Sequence, residues 1–201
     1  MTASTVAKMS GMEKIATLFN SKRKAILVQT FEEARFIEDL KLTIEAKGYE
    51  GHAWSVTGGA SDIFTGTETI KTGDPIKLMG QIKAYEKSAV FILKDFHDIW
   101  SNYQAKRALR DLLESTAPDV NYKPIVLVSH QSSIPAELEK LITVVSYELP
   151  NRKQVTDLLG GMEMQLQKKS LPVPTDRERE SIIHSLVGMT HAEIVAVLRN
   201  S

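Results

Sequence analysis

The chain alternates compact apolar runs with longer stretches in which apolar residues recur at helical spacing. Ala25–Gln29 opens with consecutive apolar residues, which is typical of a strand covered on both faces of a sheet. Short runs that follow helical patterns predict four more strands, at residues 52–56, 89–93, 124–128 and 143–147. Because strands and helices alternate, the pattern predicts an α/β fold with a parallel five-stranded sheet wrapped by helices.

The last quarter of the chain carries helical patterns alone. Asn151 is placed to cap one helix, and Thr175 and Thr190 are each followed three residues later by glutamate, which is the spacing of a capping box. The sequence therefore predicts three parts: a mobile N-terminus at residues 1–11, an α/β core at 12–150 and a small helical lid at 151–201.

A segment of the predicted core has no clear periodicity. Residues 57–73 are rich in glycine, threonine and serine, which predicts a long loop. Gly58 and Gly59 in this segment are a possible phosphate site, but they do not open a helix. Since no helix dipole would then face the phosphate, a mobile loop is the simpler interpretation.

Composition and charge narrow the classes of function. Lys plus Arg and Asp plus Glu both number 25, so the formal net charge is zero, and no global field attracts nucleic acid or an anionic membrane. The absence of cysteine excludes disulfides, thiolate metal sites and cysteine nucleophiles. No apolar stretch is long enough to span a membrane. We expect a cytoplasmic protein with no membrane partner.

The turn after the first strand carries the most informative chemistry. Nucleotide-hydrolysing domains of this build have a glycine-rich turn here that ends in Lys-Ser or Lys-Thr, because backbone N–H groups and the lysine hold the phosphates. In this chain the turn begins at Thr30, has no glycine and carries Glu32 and Glu33. Those carboxylates would repel a triphosphate. Thr30 and Glu33 instead have the spacing of a capping box for the next helix.

Three short sequence motifs resemble those of AAA+ ATPases. They are Leu-Lys-Asp-Phe-His at 93–97, Ser-His at 129–130 after an apolar strand, and Ile-Pro-Ala-Glu-Leu at 134–138. More closely, the chain is similar to the N-terminal half of a bacterial, phage and plastid AAA+ family of largely unknown function. In that family a degenerate first domain precedes a working ATPase domain. The resemblance covers most of residues 12–200 and implies a sheet of the P-loop NTPase/AAA+ type with a helical lid.

The resemblance also places relics of an ATP site. It puts Thr30 at the lost phosphate loop, Asp95 at the strand end that holds magnesium, and Ser129 and His130 at the strand that senses the γ-phosphate. The chain departs from active relatives because Phe96 replaces the glutamate that polarises water. In addition, residues 111–151 contain no arginine for a finger, and Thr190-His191 stands where a sensing arginine is common.

The resemblance therefore implies no catalytic residue, cofactor or metal for this segment. ATP and Mg²⁺ belong to the parent chain if an active domain follows. The implied role is assembly, regulation or recruitment for that active AAA+ domain and neighbouring subunits, with a protein client as a further partner. Two alternatives stay open: an ATPase-dead DNA-processing adaptor similar to clamp-loader subunits, and a nucleotide-binding enzyme with an unusual cradle.

The candidate residues also have structural interpretations. Asp95 is favoured as a helix cap over a relic metal ligand. His97 and Asp98 form a weak metal pair without a third ligand, and His130 is favoured as a surface loop histidine. A hydrolase triad of Ser129, His130 and Asp95 lacks the Gly-x-Ser-x-Gly elbow that exposes a serine nucleophile.

For two further groups of residues we favour a structural interpretation over a functional one. Trp54 and Trp100 are expected to pack in or near the core. A basic face formed by Lys106, Arg107 and Arg110 is expected to be solvated, with nucleic-acid contact as the alternative.

Overall fold

The computed structural model describes residues 9–115 and 121–200. The chain divides into two compact units, Met1–Tyr147 and Glu148–Ser201. The helices and strands of the first unit are α1 (Gly11–Asn20), β1 (Ala25–Gln29), α2 (Glu33–Glu45), β2 (Glu50–Ser55), β3 (Gly59–Asp62), β4 (Glu68–Ile70), α3 (Pro75–Ala84), β5 (Ala89–Lys94), α4 (Tyr103–Ser115), β6 (Ile125–Ser129) and β7 (Ile142–Ser146).

The first unit is built on a seven-stranded sheet with the order β4-β3-β2-β5-β6-β1-β7. The strands β2, β5, β6, β1 and β7 pair in parallel, as the alternation of strands and helices predicted. Each of them coincides, within a few residues, with one of the five predicted strands. The prediction of an α/β fold with a parallel sheet is therefore confirmed.

The predicted number of strands is wrong, because residues 57–73 are not a loop throughout. They contain β3 and β4, which extend the sheet in antiparallel fashion beside β2. Gly59 adopts a φ of +68° at the start of β3, and a carboxylate oxygen of Asp62 accepts hydrogen bonds from the N–H groups of Phe64 and Thr65, each at 2.8 Å. These contacts shape the two tight turns that a glycine- and threonine-rich segment can form.

The core of the first unit lies on both faces of the sheet. Ala25 and Leu27 of β1 belong to one buried cluster, and Ile26 and Val28 belong to the other. This two-sided burial explains why the parallel strands are continuous apolar runs. Trp54 is 1% exposed within the core. The half-buried Trp100 packs against the same core cluster, so both tryptophans lie where they were predicted.

Residue 11, the predicted end of a mobile N-terminus, is already the first residue of α1. Residues 1–8 lie outside the described part of the chain. Ser10 caps α1 in a capping box with Glu13, and Gly11 is the first residue of the helix. A Cβ added at Gly11 would lie 2.6 Å from the carbonyl oxygen of Ser146, so the start of α1 lies directly against β7.

The second unit contains three helices, α5 (Arg152–Lys168), α6 (Asp176–Leu186) and α7 (His191–Asn200). Their predicted caps are present: Asn151 and Thr175 form capping boxes, and Thr190 Oγ1 accepts from the N–H of Glu193 at 3.3 Å. A small apolar core holds the helices together through Val155, Leu159, Ile183, Leu186 and Ile194. Within the described ranges of the whole chain, no helix has the length and apolar character needed to cross a membrane.

Candidate functional site

The carboxyl ends of three adjacent strands, β5, β6 and β1, meet at one edge of the sheet. The four predicted relics of an ATP site lie there: Thr30, Asp95, Ser129 and His130. They line a cavity of about 360 Å³ whose walls are Thr30, Phe31, Glu33, Asp95, Val128, Ser129 and His130. Ligand sites of α/β proteins usually occupy this edge, so we take this cavity as the candidate site.

The turn from β1 to α2 is short and closed by its own hydrogen bonds. The N–H of Thr30 donates to the carbonyl oxygen of Ser129 at 2.8 Å. The N–H of Glu32 donates to Thr30 Oγ1 at 3.0 Å. Two backbone donors at this turn therefore already have partners within the protein.

The predicted capping box of Thr30 and Glu33 is wrong. Glu33 is the first residue of α2, and the N-cap position falls on Glu32, whose side chain makes no cap hydrogen bond. The Thr30 hydroxyl instead accepts a hydrogen bond within the turn that precedes the helix. The helix starts later than the sequence pattern suggests because the Thr30 turn occupies the intervening residues.

Each carboxylate of this turn faces a cation. Glu32 is 6% exposed, and its Oε2 lies 2.5 Å from Arg35 Nη1. Glu33 Oε1 lies 2.7 Å from the Nζ of Lys94, the last residue of β5. The nearby positive side chains are thus engaged by carboxylates of the same turn.

Asp95 does not act as the predicted helix cap. It precedes a short 3-10 helix, Phe96–Ile99, but its side chain makes no cap hydrogen bond. Its backbone is left-handed, with φ 50° and ψ 27°, whereas a capping residue normally has extended backbone that aims its side chain at the helix N–H groups. The Asp95 carboxylate is exposed at the cavity.

Two histidines lie beside Asp95. The rings of His97 and His130 are 4.8 Å apart and nearly perpendicular. Asp95, His97 and His130 each offer one ligand atom, and these atoms lie within 4.8 Å of one another. The sequence offers no third ligand beside His97 and Asp98, whereas the structure brings Asp95 and His130 to His97. The adjacency of β5 and β6 was the one signal that could have grouped them.

The hydroxyl of Ser129 belongs to the turn after β6. Ser129 is 3% exposed, and its Oγ accepts a hydrogen bond of 2.9 Å from the N–H of Gln131. In the part of the chain that the structure describes, no hydrogen bond joins Ser129 to the ring of His130. The arrangement therefore does not resemble an activated serine with its base.

The fold of this chain is shared with proteins of known structure. Two solved structures share the AAA+ fold: a DNA replication initiation factor (TM-score 0.55, 13% identity) and the replication initiator DnaA bound to AMPPCP and single-stranded DNA (TM-score 0.56, 9% identity). Each match covers 94% of this chain and 59% of the other chain. These similarities show that the chain has the AAA+ fold.

Sequence comparison gives the family more narrowly. Residues 12–147 match the family described as SpoVK-like AAA ATPase, N-terminal domain, and the chain belongs to that family. Two curated relatives are named "Uncharacterized AAA domain-containing protein ycf46". The one from Trieres chinensis is 25% identical over 73% of this chain, and the one from Guillardia theta is 23% identical over 94% of it. The chain spans 30% and 37% of their respective lengths.

Proposed function

We propose that this chain is a catalytically degenerate AAA+ module that serves assembly, regulation or partner recruitment for an active AAA+ ATPase domain. The active domain would follow it in a longer parent chain, and ATP and Mg²⁺ would bind there. The proposal places the module in the cytoplasm, in contact with neighbouring subunits and a protein client. The observation that carries the proposal is the closed turn between β1 and α2.

A phosphate cradle needs backbone N–H groups that point into open space. At this turn the N–H of Thr30 is bonded to Ser129 and the N–H of Glu32 to Thr30 Oγ1. A triphosphate would have to break these bonds before it could use the same donors. Because an unpaired donor or acceptor inside a protein costs about 1–3 kcal/mol, this loss opposes binding.

The charges at the cavity also oppose a triphosphate. Glu33 and Asp95 line the cavity, and Lys94, which could neutralise phosphate, already pairs with Glu33. In active domains a lysine of the phosphate loop is held free for the nucleotide. Here the cation is committed to a carboxylate of the protein.

Hydrolysis would lack its usual groups even if a nucleotide were bound. Phe96 follows Asp95 and is fully buried, so its ring contributes to packing and cannot polarise water. Residues 111–151 contain no arginine that could reach a neighbouring subunit as a finger. These features support a role in which the module acts through its surfaces.

The role can be tested on an active AAA+ ATPase domain of this family, assayed alone and with this chain joined to its N-terminus. The proposal predicts that the chain changes ring formation or ATP turnover several-fold. Ser129→Ala, at the position that senses γ-phosphate in active domains, should leave turnover of the joined protein unchanged. Equal assembly and turnover with and without the chain would refute the role, and a Ser129→Ala loss of turnover would indicate a working site in this module.

A DNA-processing adaptor is the alternative function, and its surface is the basic face of α4. The cations of that face are paired within the first unit: Lys106 with Glu137 at 2.9 Å, and Arg107 with Asp111 at 2.6 Å. Arg110 pairs with Glu114 at 2.9 Å. Since paired cations release few counterions from DNA, we expect at most weak binding that disappears between about 50 and 200 mM salt in a titration.

A further inference from the structure

We propose that Asp95, His97 and His130 form a binding site for a divalent transition-metal ion such as Zn²⁺ or Co²⁺. The site lies at the carboxyl ends of β5 and β6. It goes beyond the proposed assembly role and does not depend on it, because a metal could bind whether or not the module recruits partners.

The distances between the three side chains suit a shared ion after a small adjustment. Their ligand atoms lie within 4.8 Å of one another. Around a tetrahedral Zn²⁺ with bonds of about 2.0–2.2 Å, neighbouring ligand atoms are about 3.4 Å apart. Asp95 and His130 are exposed, so rotation of their side chains can close the remaining distance. His97 is the fixed point of the site.

His97 provides the observation that points to a ligand. Its side chain is only 5% exposed, and its Nδ1 is buried with no hydrogen-bond partner in the described part of the chain. Its Nε2 lies 3.4 Å from Asp98 Oδ1. Because Nε2 faces Asp98, Nδ1 is the ring nitrogen that remains available to a metal.

Asp98 therefore fits the role of a carboxylate that orients a metal-binding histidine. Such partners fix the tautomer and the ring orientation of the ligand, and their removal weakens metal affinity about 10–100-fold. The pair of His97 and Asp98 is thus part of the site, although only His97 would touch the ion. A metal on Nδ1 would also satisfy a buried atom that is otherwise unpaired.

The chemistry of the three ligands selects the class of ion. Two imidazoles and one carboxylate suit Zn²⁺, Co²⁺ or Ni²⁺, whereas Mg²⁺ prefers oxygen ligands and retains its waters. His130 must give up one present contact if it uses Nε2, because that atom lies 3.0 Å from Gln131 Nε2. The Gln131 amide is exposed and can turn away.

The test is a Co²⁺ titration of the untagged full chain, followed by its visible absorption bands and by calorimetry, with Zn²⁺ in competition. We expect one ion per chain, displacement by Zn²⁺ and no displacement by millimolar Mg²⁺. His130→Gln and Asp95→Asn should each weaken binding at least tenfold, and Asp98→Asn about 10–100-fold. His184→Gln, an exposed histidine of the second unit, should have no effect.

Two results would overturn the site. One is wild-type binding that is absent at millimolar Co²⁺. The other is binding that His130→Gln and Asp95→Asn leave unchanged while the variants melt like the wild type. His130 and Asp95 are exposed, so these two variants keep the test valid even if a substitution at the buried His97 prevents folding.

Discussion

The N–H of Thr30 donates to the carbonyl oxygen of Ser129 at 2.8 Å and extends the pairing of β1 with β6 by one residue beyond β1. The strand register therefore continues into the turn where active AAA+ domains leave the sheet to wrap phosphates. Because α2 begins at Glu33, only a few residues separate strand and helix. The turn lacks the length of a phosphate loop, and two of its backbone donors, the N–H groups of Thr30 and Glu32, are already bonded within the protein.

The left-handed backbone of Asp95 predicts an unusual response to substitution. Asp95→Gly should raise the free energy of unfolding by about 0.5–1 kcal/mol, because glycine adopts positive φ without strain. Asp95→Ala should lower it by up to about 1 kcal/mol, since alanine tolerates that conformation less well than aspartate. Asp95→Asn serves as the control and should be neutral. Urea unfolding measures all three, and a stabilising alanine would contradict the assignment.

The hairpin of β3 and β4 predicts different effects at two glycines. A Cβ at Gly59 would lie 2.3 Å from the carbonyl oxygen of Ile70 and would also meet a φ of +68°. Gly66 has a φ of +73° but nothing within 4 Å of its Cβ position. Gly59→Ala should therefore cost more stability than Gly66→Ala, which should lose about 1 kcal/mol from backbone strain alone. Equal losses in urea unfolding would show that residues 57–73 are not held in the sheet.

A buried histidine of β2 predicts how stability depends on pH. Burial lowers the pKa of His52 below its usual value, against the opposing pull of the Asp62 and Glu50 carboxylates. Between the lowered folded pKa and the unfolded value of about 6.5, only the unfolded chain binds this proton. The contribution of neutral, buried His52 to the free energy of unfolding is therefore complete above about pH 6.5. It is lost as the pH falls below that value, by at most about 1.4 kcal/mol per pH unit.

The slope of unfolding free energy against pH between 5 and 7 measures this effect. His52→Leu should flatten the slope, because leucine binds no proton. Any loss of unfolding free energy from the changed packing is equal at every pH. His184→Gln, which removes an exposed histidine of the second unit, is the matched control for the loss of a histidine side chain. A slope that His52→Leu leaves unaltered would assign the pH dependence to other groups.

The surfaces of the two units predict weak self-association. AAA+ rings are closed by nucleotide and an arginine finger, and residues 111–151 offer no arginine. Apolar residues such as Ile183 and Ile194 are already buried in the second unit's own core. The isolated chain should be a monomer or weak dimer at micromolar concentration in size exclusion with light scattering. A stable hexamer without nucleotide would show that this module drives assembly by itself.

The parallel part of the sheet was predictable from sequence, and its antiparallel extension was not. β1 and β5 are buried on both faces, so their residues form apolar runs that stand out. In β3 and β4 only Ala60 and Ile70 are buried. Their alternation is too short to be distinguished from a polar loop.

The candidate site was predictable in its location but not in its detail. Thr30, Asp95 and His130 directly follow strands, and Ser129 is the last residue of one. Because these strands are neighbours in a sheet of this order, the meeting of the four residues could be expected. The part played by His97 could not, because it depends on the left-handed turn at Asp95 and the 3-10 helix that follows. No local sequence pattern specifies that conformation for an aspartate.

Calorimetric titration of the chain with ATP and Mg²⁺ tests the central claim most directly, with an active AAA+ domain titrated in parallel as the control. With two donors of the β1–α2 turn already bonded and Lys94 held by Glu33, we predict a dissociation constant no tighter than about 1 mM, or about 4 kcal/mol of binding free energy. At 1 mM ATP such binding would raise stability by less than about 0.5 kcal/mol. A dissociation constant in the low micromolar range would contradict the account and show that this module retains a working nucleotide site.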